Sequence, residues 1–414
     1  MRLHSRLLFG VALSVLLAAG VSAQDKLRGE VMHQWTSAGE AAAIKVVADA
    51  YNAAGGEWVD TAITGGDALM AGELARLTGG NPPAAMQFPA GDEMIGLVEQ
   101  GLLRPLDDVF AKTGFDKALP AAFLDSVTYE GHVYGIPINN HGQSWLWWNK
   151  QVLADAGATE PKTWDEFFAA MDKVQASGKI GIAIGGQNWQ NRIMFIGVVG
   201  TKGGAELYNK VFGDRDETAI RSPEFKTVVE TFLHIRDYAD EGNINRDWNV
   251  AANMMITGQA GFYIQGDWGK GEFVAANWEA GKQYGCAILG EGGARNFIMS
   301  SDAFVFPAGD DALTAAQDLL ATVMVDKKVQ ADFNHFKGSL PARIDVDPTI
   351  VDSCAAYGLE AMSKPEQQLL SLEFFGSGDY SGAIDDLIGQ AWTNPAMTAD
   401  QFVDQFATIS ATIP

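Results

Sequence analysis

The stretch from Glu30 to Ala54, EVMHQWTSAGEAAAIKVVADAYNAA, decides the fold. Glu30–Gln34 reads as a short strand. A polar turn follows, and Ala38–Ala54 carries Ala42, Val46, Val47 and Ala50 near helical spacing. The pattern then repeats. Trp58–Ile63 alternates as a second strand, and Ala68–Thr78 reads as a second helix, stopped by Gly79-Gly80 and Asn81-Pro82-Pro83. Ala84–Phe88 is a third short apolar strand, followed by a helix over Gly91–Gln100 and a stop at Gly101. This β-α-β-α-β-α order predicts a mainly parallel sheet with helices on both faces.

The same grammar restarts downstream. His132–Ile136 and Trp145–Asn149 read as strands, and Lys150–Ala156 and Trp164–Ala176 as helices, with Thr163 and Glu166 spaced as a capping box. Ile180–Ile184, Ala260–Ile264 and Ala303–Phe306 are further strands, and Pro223–Tyr238 is a long amphipathic helix. Two α/β units with no Pro- or Gly-rich linker between them predict lobes joined by several crossing strands. Ligands of such sheets sit beyond the carboxyl ends of the strands, which here would face one another across a cleft.

Composition narrows the function. The 414 residues hold 29 Lys and Arg against 52 Asp and Glu, a formal charge of −23, yet only 20% of residues are charged. The acidity therefore comes from scarce bases. With no basic stripe to displace counterions, nucleic acid is excluded as a partner. With 11 Trp, 22 Phe and 9 Tyr, a disordered acidic chain is excluded as well.

The first residues read as an export signal. Arg2 and Arg6 precede an apolar run over Leu7–Gly20, and Val21-Ser22-Ala23 ends in small residues, which predicts cleavage after Ala23. The run, about 14 residues, is too short to span ~30 Å of hydrocarbon. No lipobox cysteine follows it. Removing residues 1–23 takes two arginines and no acid, leaving 391 residues at −25. Cys286 and Cys354 lie in the exported part, where an oxidising compartment predicts one disulfide between them. It would close a loop of about 70 residues, worth about 4 kcal/mol in the chain-entropy model.

Enzyme signatures are absent from the sequence: there is no G-x-S-x-G, no H-E-x-x-H, no P-loop and no EF-hand loop. The histidines of the exported chain, His33, His132, His141, His234 and His335, show no ligand-like spacing, so neither a metal nor another cofactor is expected. Carboxylates are too plentiful for any pair to stand out, which leaves glycoside hydrolysis as the alternative activity. The tryptophans are more informative. Trp35 ends the first strand, and Trp268 follows another in Gly266-Asp267-Trp268. An aromatic ring beside small polar residues at a strand's carboxyl end suits a pyranose, whose C–H face stacks while its hydroxyls find partners at the edge. Trp145, Trp147 and Trp148 crowd another strand, and there core packing is the stronger reading.

At this point the chain resembles the periplasmic sugar-binding proteins of ABC importers, in extracellular solute-binding protein family 1, near its glucose/mannose-type branch. Trp35-Thr36-Ser37-Ala38-Gly39-Glu40 is similar to that family's Trp-Thr-Ser-Gly-Gly-Glu opening, and Gly80-Asn81-Pro82-Pro83-Ala84-Ala85-Met86-Gln87 to its third-strand motif. Tyr134-Gly135-Ile136-Pro137, Trp148-Asn149-Lys150 and Pro161-Lys162-Thr163-Trp164-Asp165-Glu166-Phe167 match its crossover and following helices. Ala260 through Trp268, Ser301-Asp302-Ala303-Phe304-Val305-Phe306-Pro307 and Lys337-Gly338-Ser339-Leu340-Pro341-Ala342-Arg343 complete the likeness, which runs from about residue 28 to the C-terminus.

The resemblance implies a two-lobed α/β fold of the maltose-binding-protein type. One lobe would comprise residues 24–137 and 297–342, the other 138–296 and 343–414, with hinge crossings near Ile136–Asn139, Glu291–Ser300 and Ser339–Asp345. It implies a monomer in the periplasm that binds a mono- or small oligosaccharide, delivers it to a permease and catalyses nothing. Carried over, Trp35 and Trp268 stack the sugar, Glu40 and Asp302 accept from hydroxyls, and Lys337 donates. Close glucose binders of this branch have a second Trp where Gln34 stands, a Lys near Pro89 and a His within Ser371–Phe375, and this chain has none of them. Gln34, Gln87, and His141 or Glu373 are the candidate replacements, with Gly66 of the loop after the second strand in the same set. Glucose as the ligand therefore does not follow. Trp35→Ala is expected to weaken binding at least tenfold with the fold intact.

Overall fold

The computed structural model describes residues 26–290, 295–347 and 351–413. The signal segment 1–23 and the first part of the expected Glu291–Ser300 crossing, residues 291–294, lie outside them.

The deciding stretch folds as strand and helix, with small shifts. The strand is Leu27–His33 and the helix Ala38–Ala53. The helix starts where Ser37 Oγ accepts from the Glu40 amide and Glu40 Oε2 accepts from the Ser37 amide, a reciprocal cap. Its buried face is Gly39, Ala43, Ile44, Val47 and Tyr51. Ala42, Val46 and Ala50 of the expected stripe sit at the flank, half-buried. The Tyr51 hydroxyl is anchored on the Leu27 carbonyl (2.8 Å), so helix and strand are locked to each other.

The N-terminal sheet has the order Gly56–Ala62, Leu27–His33, Ala85–Phe88, Ala303–Val305, Gly135–Pro137. The first three strands are parallel neighbours. Ala303–Val305 is antiparallel to the strands on both sides of it, so Gly135–Pro137 runs with the first three. The sheet is thus mainly parallel, with one inserted strand that comes from the far end of the chain.

A second sheet repeats this arrangement: Tyr284–Ala287, Leu146–Asn149, Ala260–Ile264, Ile180–Ala183. Leu146–Asn149 opposes both neighbours, and Ala260–Ile264 pairs in parallel with Ile180–Ala183. A third, smaller sheet joins the two bodies, in the order Leu340–Pro341, Asn139–Gly142, Phe297–Ser300, Gln368–Leu370. Each of its strands has only two to four residues.

Local expectations hold with three amendments. The expected strand His132–Ile136 is two: His132–Val133 pairs with Thr128–Tyr129, and Gly135–Pro137, beyond Tyr134, joins the first sheet. The long helix ends at Ile235 and continues as a tighter turn over Arg236–Tyr238. The cap at Thr163 is half a box: Thr163 Oγ1 accepts from the Glu166 amide (3.3 Å), but Glu166 Oε2 accepts from the Lys162 amide (2.8 Å). The lobes fill with separate apolar clusters, one around Val31, Met86 and Phe304, another around Phe195, Phe232 and Phe406. A third, with Trp145, Trp147, Tyr263 and Phe297, lies where the second sheet meets the joining sheet. Trp145, Trp147 and Trp148 are all buried, and Trp145 stacks on Trp147 (5.1 Å between centroids), so this cluster is core. Cys286 and Cys354 are bonded, tying strand Tyr284–Ala287 to helix Ser353–Met362 in the same region. Among the described residues no helix is long and apolar enough to cross a membrane.

Candidate functional site

The carboxyl end of strand Leu27–His33 releases Gln34 and Trp35 toward the junction of the three sheets. The Gln34 amide donates to Gln87 Oε1 (3.0 Å), and Gln87 Nε2 donates to Asp302 Oδ1 (3.1 Å). Gly66 lies against the Gln34 side chain, so close that a β-carbon there would stand 3.3 Å from Gln34 Oε1. Three expected residues on three separate segments thus run in one hydrogen-bonded line, with the fourth packed beside it.

Asp302 sits between the joining strand Phe297–Ser300 and the inserted strand Ala303–Val305. Its Oδ2 accepts from Asn139 Nδ2 (2.6 Å) and lies 3.0 Å from His141 Nε2, while its amide donates to Asn139 Oδ1 (2.8 Å). The other ring nitrogen of His141, Nδ1, is 2.5 Å from Asp267 Oδ1, and Asp267 Oδ2 accepts from the Gly142 amide (2.8 Å). Trp268 follows, its ring edge-on to His141 (centroids 5.0 Å, planes at 88°) and 6.2 Å from Trp189. Trp189 is itself pinned by Nε1 donating to Gln187 Oε1 (2.9 Å).

Lys337, at the last turn of helix Lys327–Lys337, is 3% exposed. Its ammonium is 3.4 Å from Glu40 Oε1, 5.7 Å from the Trp35 ring centre and 5.9 Å from that of Trp268. A buried ammonium is tolerable here because a carboxylate and two aromatic faces surround it. Glu40 thus has two engagements: Oε2 caps helix Ala38–Ala53, and Oε1 faces the Lys337 ammonium.

Burial alone would push the Asp302 carboxyl up. The His141 hydrogen bond and charge, then Lys337 and Asn139, overcome that and hold it far below the usual carboxylate range. Burial likewise pulls the His141 imidazole down, but the Asp267 charge and the two carboxylate contacts outweigh it and Lys337 together, leaving the ring's pKa raised. The groups gathered here are carboxylates (Asp302, Glu40), an amine donor (Lys337), amides (Gln34, Gln87) and indoles (Trp35, Trp268). That set suits an uncharged, hydroxyl-rich ring. Among the described residues no cluster of His, Cys, Asp and Glu is arranged to hold a metal.

The structure gathers Trp35, Glu40, Gln34, Gly66, Gln87, His141, Trp268, Asp302 and Lys337. Glu373 is placed elsewhere: it pairs with Arg192 (3.4 Å), which also reaches Asp385 (3.1 Å). His141 has both ring nitrogens engaged by carboxylates. Trp35 is 2% exposed and packs on Phe304 (5.5 Å) and Phe333 (5.2 Å), so it is a core residue, with the Lys337 ammonium near its ring. The sequence reading missed Asn139, Asp267 and Trp189. Asp267 had a visible signal, an acid directly before Trp268 at the end of a buried strand; Asn139 and Trp189 had none.

Residues 35–330 match the family model described as bacterial extracellular solute-binding protein. A probable sugar-binding periplasmic protein of Mesorhizobium japonicum is 39% identical over 365 residues, 87% of each chain. A protein of the same description from Rhizobium meliloti is 37% identical over 356 residues, 85% of each. Among solved structures, a chitin oligosaccharide binding protein superposes with a TM-score of 0.76 at 18% identity, over 94% of this chain and 99% of that one, a likeness of fold. The chain belongs to the bacterial extracellular solute-binding protein family.

Proposed function

We propose that this protein is the periplasmic substrate-binding component of an ABC importer, taking a mono- or small oligosaccharide between its lobes and handing it to the permease. The carrying observation is the convergence of Asp302, Glu40 and Lys337 with Trp35 and Trp268 where the sheets meet. We divide the lobes as residues 24–137 with 297–342 and 138–296 with 343–414. The division is supported by sheet membership, since Gly135–Pro137 and Ala303–Val305 complete the first sheet and Leu146–Asn149 opens the second. The hinge is the small joining sheet, whose short strands can absorb a rotation without disturbing either core. Ligand contacts to both lobes then stabilise the closed form.

The hydrolase alternative lacks support. A general acid must hold its proton near neutral pH, and the environment of Asp302 does the opposite. Calorimetry of the mature protein against hexoses, pentoses, disaccharides and sugar acids tests the proposal. Saturable binding of at least one neutral sugar, recovered intact with no released reducing ends, is expected; binding of none would overturn it.

A further inference from the structure

We infer that His141 is the positioning residue of this site: clamped between two carboxylates, it aims Asp302 at the sugar and ties it to the loop bearing Trp268. The inference rests on the sugar-binding reading for its consequence, but on hydrogen-bond geometry for its substance.

Carboxylates ionised in the folded state only accept hydrogen bonds. A neutral imidazole has one donor nitrogen and one acceptor. With Asp267 Oδ1 at 2.5 Å from Nδ1 and Asp302 Oδ2 at 3.0 Å from Nε2, a ring that satisfies both contacts must carry two N–H groups and a positive charge. The competing neutral ring would accept from Asn139 Nδ2, 2.9 Å away. It would then face Asp302 lone pair to lone pair at 3.0 Å, in a place where His141 is only 4% exposed. The groups packed around the ring fit the cationic form: Asp267 from the loop after Ala260–Ile264, Asp302 from the joining segment, and Asn139 from its own strand. Opposing them is Lys337 from the end of its helix, which Glu40 partly offsets.

The position gives this charge its function. Asn139–Gly142 belongs to the joining sheet, Asp302 leads into the first lobe's sheet, and Asp267 and Trp268 follow a strand of the second. One imidazolium therefore fixes an acceptor on one side of the hinge and the loop of a stacking ring on the other. A raised folded pKa means this clamp is complete at low pH and lost as pH rises through that value.

The experiment has two readouts. In the unliganded protein, imidazole 15N shifts of His141 at neutral pH are expected to show two protonated nitrogens; a neutral ring overturns the inference. Calorimetry with D-glucose, D-galactose, D-xylose and maltose at pH 6 to 9.5 then reads the consequence. For any sugar bound, affinity should fall toward high pH in the wild type. H141Q should bind at least tenfold more weakly at pH 6 with a flat profile. D267N, which keeps the ring, should shift the fall to lower pH. A weakened H141Q whose profile parallels the wild type, or an unmoved D267N, makes His141 merely structural and overturns the inference. If no sugar binds the wild type, the sugar reading fails, while the ring shifts still decide the clamp: two protonated nitrogens support it, a neutral ring overturns it.

Discussion

Gly39 and Gly271 meet backbone to backbone between the two lobes: a β-carbon on Gly39 would lie 2.6 Å from the Gly271 carbonyl carbon. The Gly39 amide donates to Glu272 Oε1 (3.0 Å), and a β-carbon on Gly271 would in turn meet the Phe336 carbonyl oxygen at 2.7 Å. These distances describe lobes in contact, held there by the absence of side chains. Gly39→Ala suits the helix it sits in, since alanine has the higher propensity, yet its methyl would wedge the lobes apart. We expect G39A and G271A to keep the wild-type melting temperature while weakening sugar binding by about tenfold or more, through a smaller closure-competent fraction. Small-angle scattering with and without sugar checks this: the variants should fail to contract.

Trp268 is the cleaner probe of stacking. Its neighbours are His141, Trp189 and Lys337. Trp268→Ala is expected to weaken sugar binding at least tenfold. Trp35→Ala, by contrast, would also remove core contacts with Phe304 and Phe333, at a typical cost of about 3–5 kcal/mol for such a truncation. Its loss of binding would therefore come with a lowered denaturation midpoint, contrary to the expectation from sequence. Urea melts of both variants separate the two effects.

Glu73 is a buried acid whose linkage bears on stability between the ordinary glutamate range and about pH 9. It is 1% exposed, its Oε1 has no hydrogen-bond partner, and burial pushes its carboxyl up to about 9. Its folded pKa exceeds its unfolded one, so folding takes up a proton between the ordinary glutamate range and pH 9. The native state is therefore most favoured by this group below about pH 4.5 and loses up to about 1.4 kcal/mol per pH unit above it. Glu73→Gln should match the wild type near pH 5 and melt higher at pH 8. Equal melting temperatures at pH 8 would refute the assignment.

The disulfide makes a third stability prediction. Cys286 and Cys354 are 68 residues apart, and the C286S/C354S protein should lose about 4 kcal/mol in urea unfolding without reductant.

Much of this was legible in the chain. Strand and helix alternation from Glu30 to Phe88 survived with shifts of a few residues, because each element carries its own period and its own stop. Asp302 was reached through the family resemblance, within Ser301-Asp302-Ala303-Phe304-Val305-Phe306-Pro307. The joining sheet was foreseen only as crossings near Ile136–Asn139, Glu291–Ser300 and Ser339–Asp345, not as paired strands. Asn139-Asn140-His141-Gly142 is wholly polar and reads as a loop; it is a strand because Met299, Ser300, Leu340 and Pro341, from distant parts of the chain, supply its hydrogen-bond partners. His141 was singled out as a candidate contact, but its clamped position was not foreseen. Its two carboxylates lie 126 and 161 residues away, and no local spacing announces them.

The inserted strand Ala303–Val305 also sets an order of assembly. It stands between Ala85–Phe88 and Gly135–Pro137, and it is the sole sheet neighbour of the latter among the described residues. The first lobe therefore cannot knit its sheet as the chain emerges; Gly135–Pro137 has nothing to pair with until residue 305 arrives. Topology of this kind raises contact order and slows folding. A chain cut before Ala303 would leave an open edge and an unclosed core, so this protein folds as one interleaved unit although it works as two.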